Sequence, residues 1–229
     1  MKIRLQSTFF FILFLVFVGS IAPTGHCEEY TPILFKNMEL VYEDDFDKNG
    51  PHQNDDQWVI RQQTTWTVNG GILTGSLASI DYQKLMQAKN DGHDGTRTVI
   101  FLKPVPKAFV LRMRVRYNVT GKKGRDRGSL IDLGHHMNSF IFRENGGVLI
   151  LQKKKKYPLP KEFFPLNHWN EVTIEIREGE LLATVNQRTL RFKDPLITLK
   201  SDKDQQVDFK GQDYGTVQID WLKLYRGVD

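Results

Sequence analysis

Cysteine is nearly absent: Cys27 is the only one in 229 residues. Beyond it no thiol remains, which excludes disulfides, cysteine nucleophiles and cysteine-ligated metals from the rest of the chain. Long apolar runs are equally scarce. Residues 9–18 form one of about ten residues, shorter than the ~20 a bilayer span needs, and no later stretch comes close. No amphipathic helix of about twelve residues is visible, nor a linker rich in Pro, Gly or Ser, nor an internal repeat. Charge of one sign is in mild excess only, 32 basic residues against 27 acidic. That balance is no nucleic-acid footprint.

What is there begins with Met1-Lys2-Ile3-Arg4, then the apolar run, then small residues from Gly19. This order describes a secretory signal peptide, expected over residues 1–27. Residues 28–229 are expected to form a single exported domain, periplasmic or extracellular. The alternative is a lipid anchor on Cys27, but His26 stands where such anchors take a small residue, so cleavage is favoured. Without Lys2 and Arg4 the balance is 30 basic to 27 acidic residues. Roughly two hundred residues suit one all-β domain whose core needs no disulfides.

The clearest local signal is residues 169–186. Val172, Ile174 and Ile176 alternate with Thr173, Glu175 and Arg177, Glu178-Gly179 supplies a turn, and Leu182 and Val185 lie on a return strand ending near Asn186. Residues 110–117 place Leu111, Met113, Val115 and Tyr117 on one face and Arg112, Arg114 and Arg116 on the other. Residues 217–225 alternate as far as Trp221-Leu222 and then change phase, as a bulge or a two-sided strand would. Turn chemistry at Asn69-Gly70-Gly71, Asn145-Gly146-Gly147 and Glu178-Gly179 separates short strands at regular spacing. The pattern predicts an all-β sandwich.

Asp44-Asp45-Phe46 followed by Trp58, then residues 66–75 (Trp-Thr-Val-Asn-Gly-Gly-Ile-Leu-Thr-Gly) and Trp169-Asn170-Glu171-Val172-Thr173-Ile174 with Gly179 and Val185-Asn186, have familiar wording. Together they resemble the 3-keto-disaccharide hydrolase domain family, a concanavalin A-like jelly roll related to family 16 glycoside hydrolases. The resemblance covers most of residues 44–226. It implies a jelly-roll β-sandwich and an exported carbohydrate-active domain. The implied activity is hydrolysis of a glycosidic bond in a disaccharide or glucoside, 3-keto forms included; the alternative is a non-catalytic glycan-binding module of the cell envelope. Two departures stand out. Phe140 replaces a glycine in Asn138-Ser139-Phe140-Ile141-Phe142-Arg143, and the Glu-x-Asp-x-x-Glu cluster of the family 16 enzymes is missing. No catalytic residue therefore transfers by resemblance.

From the residues themselves, glycoside hydrolysis asks for two carboxylates ~5 Å apart for retention or ~6.5–9.5 Å for inversion. Asp132 and Asp220 each interrupt an apolar strand, where an ionised carboxylate is costly unless paired. With His135 they are the catalytic candidates, although a solvent-facing strand position explains both aspartates equally well. His136, Asn138 and Arg143 are candidates to donate hydrogen bonds to sugar hydroxyls. Trp58 and Trp66 could stack on sugar faces, against the commoner role of core packing. Asp45, Asp47 and Asn49 alternate before Gly50 as in the start of a calcium loop. Structural calcium is thus the one cofactor suggested, against a plain Asp/Asn-rich turn. The run Lys153-Lys154-Lys155-Lys156 reads as a solvated strand edge or a contact for an acidic polysaccharide. The expected partner is a carbohydrate, disaccharide or polysaccharide, with no nucleic acid and no stable membrane span.

Overall fold

The computed structural model describes residues 30–122, 124, 125, 127–199 and 205–229. The chain divides into two units, Met1–Tyr30 and Thr31–Asp229. The expected export signal, Cys27 included, lies outside the described residues.

Among the described residues the order is β1 (Asn37–Asp44), β2 (Gly50–His52), β3 (Trp58–Ile60), β4 (Thr65–Asn69), β5 (Ile72–Ser76), α1 (Ile80–Ala88), β6 (Val99–Leu102), β7 (Phe109–Asn118), β8 (Ser129–Leu133), β9 (Asn138–Arg143), β10 (Gly146–Leu151), β11 (Lys155–Leu159), β12 (Asn170–Arg177), β13 (Glu180–Val185), β14 (Arg188–Lys193), β15 (Val207–Lys210) and β16 (Thr216–Val228). All pairings are antiparallel. One sheet runs β14-β13-β12-β7-β16-β5-β4-β2, with β1 also on β16; the other runs β11-β10-β9-β8-β15-β6-β3. Neighbours distant in sequence, such as β7 with β12 and β8 with β15, are the crossovers of a jelly roll. The expected all-β jelly-roll sandwich is what the chain forms.

Alternation builds the core. Leu111, Met113, Val115 and Tyr117 of β7 and Val172, Ile174 and Ile176 of β12 point inward, opposite Phe140, Leu149 and Phe209 from the second sheet. Each fully buried side chain of this size contributes ~1.5–3 kcal/mol of apolar burial. The hairpin of β12 and β13 turns at Gly179, whose φ of +76° is one that side chains resist. The phase change in β16 is a bulge: β7 register shifts between Ile219 and Trp221, leaving Asp220 as the extra residue.

Four elements escape the sequence pattern: β2, β11, α1 and β15. α1 is a nine-residue helix with only Gln83 buried, capped by Ser79, whose hydroxyl accepts from Tyr82 N–H at 3.3 Å. β15 is four residues long, buried throughout, and sits between β6 and β8 inside the second sheet.

Candidate functional site

In β15, Val207 and Phe209 enter the core, so Asp208 and Lys210 face outward. Register carries this outer face across the whole sheet: Val59, Phe101, Asp208, Asp132, Ser139, Ile150 and Lys156 form one row over seven strands. Two aspartates thus stand side by side on neighbouring strands. Lys210 Nζ lies 2.7 Å from Asp208 Oδ2 and 3.6 Å from Asp132 Oδ2, so one ammonium stands between the two carboxylates.

Their surroundings differ. Asp132 accepts from Ser139 Oγ at 2.7 Å and from the backbone N–H of His136 at 3.0 Å. Asp208 accepts from Gln206 Nε2 at 2.5 Å, and its other oxygen has the ammonium of Lys210 beside it without hydrogen-bond alignment. Burial pushes the Asp208 carboxyl above the usual range; Lys210 pulls it back and the charge of Asp132 adds to the rise. Both aspartates have 0% exposure. They are a buried layer, not a surface.

Above that layer the chain turns at residues 134–137, with Gly134 at φ +77° and His136 at φ +65°. On an extended strand adjacent histidines would point to opposite faces. The turn instead brings the His135 and His136 rings to 4.3 Å between centroids. His135 Nδ1 is 3.8 Å from Asp208 and His136 Nδ1 is 3.6 Å from Asp132. Burial holds His136 below the ordinary histidine range, Asp132 opposing and Lys210 assisting, so the ring is neutral at pH 7.

His135, His136 and Lys210 line a cavity of about 600 Å³ with Arg61, Phe101 and Arg125 among its walls. Arg127 fixes the cavity rim: it donates to Asp213 Oδ1 (2.7 Å), Asp94 Oδ1 (3.1 Å), Thr96 Oγ1 (2.6 Å) and the carbonyl of Gly92 (2.8 Å). One arginine so ties three loops together. Among the described residues, no carboxylate side chain lines the cavity.

No family model matches the sequence, and no curated protein does. Solved structures do match. A GlcNAcα1-4Gal-releasing endo-β-galactosidase from Clostridium perfringens superposes with a TM-score of 0.57 at 10% identity, over 84% of this chain and 64% of that one. SCLam, a non-specific endo-β-1,3(4)-glucanase of family 16, gives 0.53 at 11%, over 86% and 94%. A structure from work on endo-acting O-glycanases of the human gut microbiota gives 0.53 at 13%, over 83% and 100%. The chain shares their jelly-roll fold. At these identities the likeness is one of backbone path.

The expected site residues separate on the structure. Asp132, His135 and His136 come together. Asp220 does not: it lies on the opposite sheet, in the β16 bulge, paired with Arg114 at 2.5 Å, and Arg114 in turn lies over the Trp169 ring. The bulge, not a cleft, explains a carboxylate in that apolar strand. Trp58 and Trp66 are core residues at 0% and 1% exposure, their indole N–H groups donating to Tyr42 Oη and Thr64 Oγ1, so no sugar face reaches them. Asn138 is also fully buried and donates to the carbonyls of Leu133 and Thr198. Arg143 is exposed and lines a separate cavity of about 520 Å³ with Glu144 and Asp213.

The suggested calcium loop has Phe46 turned into the core between exposed Asp45 and Asp47, while Asn49 Oδ1 accepts from Gly70 N–H at 2.8 Å. Its one amide ligand is spent on a β4–β5 turn, and no group of three His, Cys, Asp or Glu gathers around an ion position among the described residues.

Asp208, Lys210, Arg61 and Arg125 were not expected at the site. The alternation Val207-Asp208-Phe209-Lys210 was a usable signal, but four residues are too few to separate a strand from a loop.

Proposed function

We propose that the chain is a carbohydrate-active protein that holds its glycan in this cavity and cleaves a glycosidic bond in a 3-keto disaccharide or glucoside. One observation carries the proposal: the cavity floor offers two histidines and a lysine, while the two carboxylates lie beneath them without exposure. Ordinary hydrolysis needs carboxylates that touch the sugar. Imidazole over aspartate, next to an ammonium, suits proton abstraction beside a carbonyl instead.

A ketone at C3 acidifies the C2–H. Neutral His136, or His135, takes that proton, and the C–H electron pair forms the enolate, whose developing charge the Lys210 ammonium stabilises. The enolate then expels the C1 oxygen, which takes up a proton and leaves as the alcohol. Water adds across the resulting double bond, so the net change is hydrolysis. Asp132 and Asp208 orient the rings and steady the imidazolium that forms.

A second function, glycan binding without turnover, is favoured by the same absence of an accessible carboxylate. Incubation with neutral disaccharides and their 3-keto derivatives in D2O separates the two. The enzyme releases monosaccharide from the 3-keto substrate and exchanges deuterium into C2, and the His135→Ala/His136→Ala variant loses about 10²–10⁴-fold in rate. Retention without release on every substrate leaves the binding module. Action outside the cytoplasm is part of the proposal, supported by the apolar segment at residues 9–18; fractionation of cells expressing the full chain tests it.

A further inference from the structure

Among the described residues, the charged side chains lining this cavity are cations: Arg61, Arg97, Arg125, Arg127 and Lys210. The acids that balance them, Asp94, Asp132, Asp208 and Asp213, are each buried to within 4% and lie behind them. Two of the cations have no ion pair among the described residues. Arg61 rests against the Phe101 ring at 5.7 Å. Arg97 is 8% exposed and spends Nε and Nη2 on the backbone carbonyls of Gly211 and Gly128. Burial pulls the Arg97 guanidinium down to about 10, and the charges of Asp213 and Asp94 offset this only in part, so an added anion would be favourable there. Arg125, at 3.6 Å from Asp94, is only loosely held.

A neutral sugar matches such a lining poorly. Each hydroxyl donates as well as accepts, and among the described residues the cavity offers side-chain acceptors only at Gln62, Tyr82 and the histidine rings. A sulfate or carboxylate accepts only, and guanidinium forks fit it in pairs. The same face continues positive. Lys156 ends the register row that contains both aspartates, and Lys153 is near enough for its charge to act on His136. Lys153, Lys154 and Lys156 are exposed and have no ion pair among the described residues.

We infer that the glycan is anionic: one sulfate or carboxylate substituent sits among Arg61, Arg97 and Arg125, and further units run along the sheet toward Lys153 and Lys156. This rests on the proposed use of the cavity for glycan and narrows it to a charged one. The test is calorimetric binding of three probes of equal length to the full chain: a neutral β-glucan oligosaccharide, its sulfated derivative and an oligouronate. The expected result is that one charged probe binds at least about tenfold tighter than the neutral one, with the advantage shrinking as salt is raised. Whether sulfate or uronate leads identifies the source of the charge. Arg61→Ala and Arg125→Ala, checked for folding by thermal melts, each cost about tenfold for the charged probe. Equal binding of neutral and charged probes overturns the inference but leaves the proposed function standing. Loss of charged-probe binding in a Lys153→Ser/Lys154→Ser/Lys156→Ser variant alone, with both arginine variants unchanged, also overturns it. No binding by any probe also overturns this inference, while release from the 3-keto substrates separately decides the proposed function.

Discussion

Replacing Asp208 with asparagine is expected to cost little, and the variant should gain on the native protein as pH rises. The side chain keeps its shape and its acceptor for Gln206 Nε2. What is lost is the ion pair with Lys210, whose ammonium still has Asp132 Oδ2 at 3.6 Å. What is relieved is the burial of a charge beside a second aspartate on the neighbouring strand. Removing one partner of a buried pair costs about 3–5 kcal/mol when it strands the other charge; here Asp132 stays beside Lys210 and the amide keeps the carboxylate's shape, so the expected cost is about 1 kcal/mol. The pH dependence gives the sign. An acid whose folded pKa lies above its unfolded value, ~3.9 for aspartate, takes up protons on folding, so its contribution falls as pH rises from that value through the folded one. Asparagine escapes this loss. Urea denaturation from about pH 4 to about pH 7 should therefore show Asp208→Asn gaining stability relative to the native protein, by about 1 kcal/mol or ~2–4 °C in Tm for a domain of this size. Asp132→Asn serves as the contrast. It removes the charge that strengthens two hydrogen bonds, from Ser139 and from His136 N–H, and should destabilise by about 1–2 kcal/mol at neutral pH. A relative loss for Asp208→Asn with rising pH would refute the assignment of a buried, reluctantly charged Asp208.

Burial pushes the Glu180 carboxyl up, but hydrogen bonds from Arg177 and Arg191 outweigh it and hold the pKa at about 2. The stability this brings is complete above the ordinary glutamate range and is lost as pH falls through that range toward about 2, so Glu180→Gln should flatten the acid limb of the stability curve. Glu175, fully buried on β12, accepts from the backbone N–H groups of Ile33 and Leu34 at 2.7–3.0 Å. Glu175→Ala strands these donors and should cost about 2–3 kcal/mol and speed limited proteolysis near residues 31–36. At Gly75 an added Cβ would stand 2.8 Å from the buried Trp66 ring. Gly75→Ala should therefore destabilise by about 1–3 kcal/mol in chemical denaturation, through overpacking.

Alternation along the chain was enough to determine the sandwich. In β7 and β12 every second residue is apolar, and a period of two has only one way to bury that face. The β12–β13 turn at Gly179 and the bulge beside Trp221 were equally legible, because local backbone chemistry decides both. The site was legible only in fragments. Asp132, His135 and His136 stood out as polar residues interrupting apolar ones, yet Asp220 gave the same signal from the opposite sheet, since alternation says that a residue leaves the core but not toward which cleft. Trp58, Trp66 and Asn138 carry groups that bind sugars elsewhere, and only packing shows them closed inside the core. The decisive pairing, Asp208 beside Asp132 under Lys210, joins residues 76 apart in sequence through the register of β8 with β15. Such register is set by how two sheets close on one another. The cavity's arginines come from loops before β6 and β8 and after β3, and its lysine from β15, brought together by that same closure. The sequence by itself determined which faces are buried; the tertiary structure decided which outward-facing charges meet, because strand order is a property of the whole fold and of no single segment.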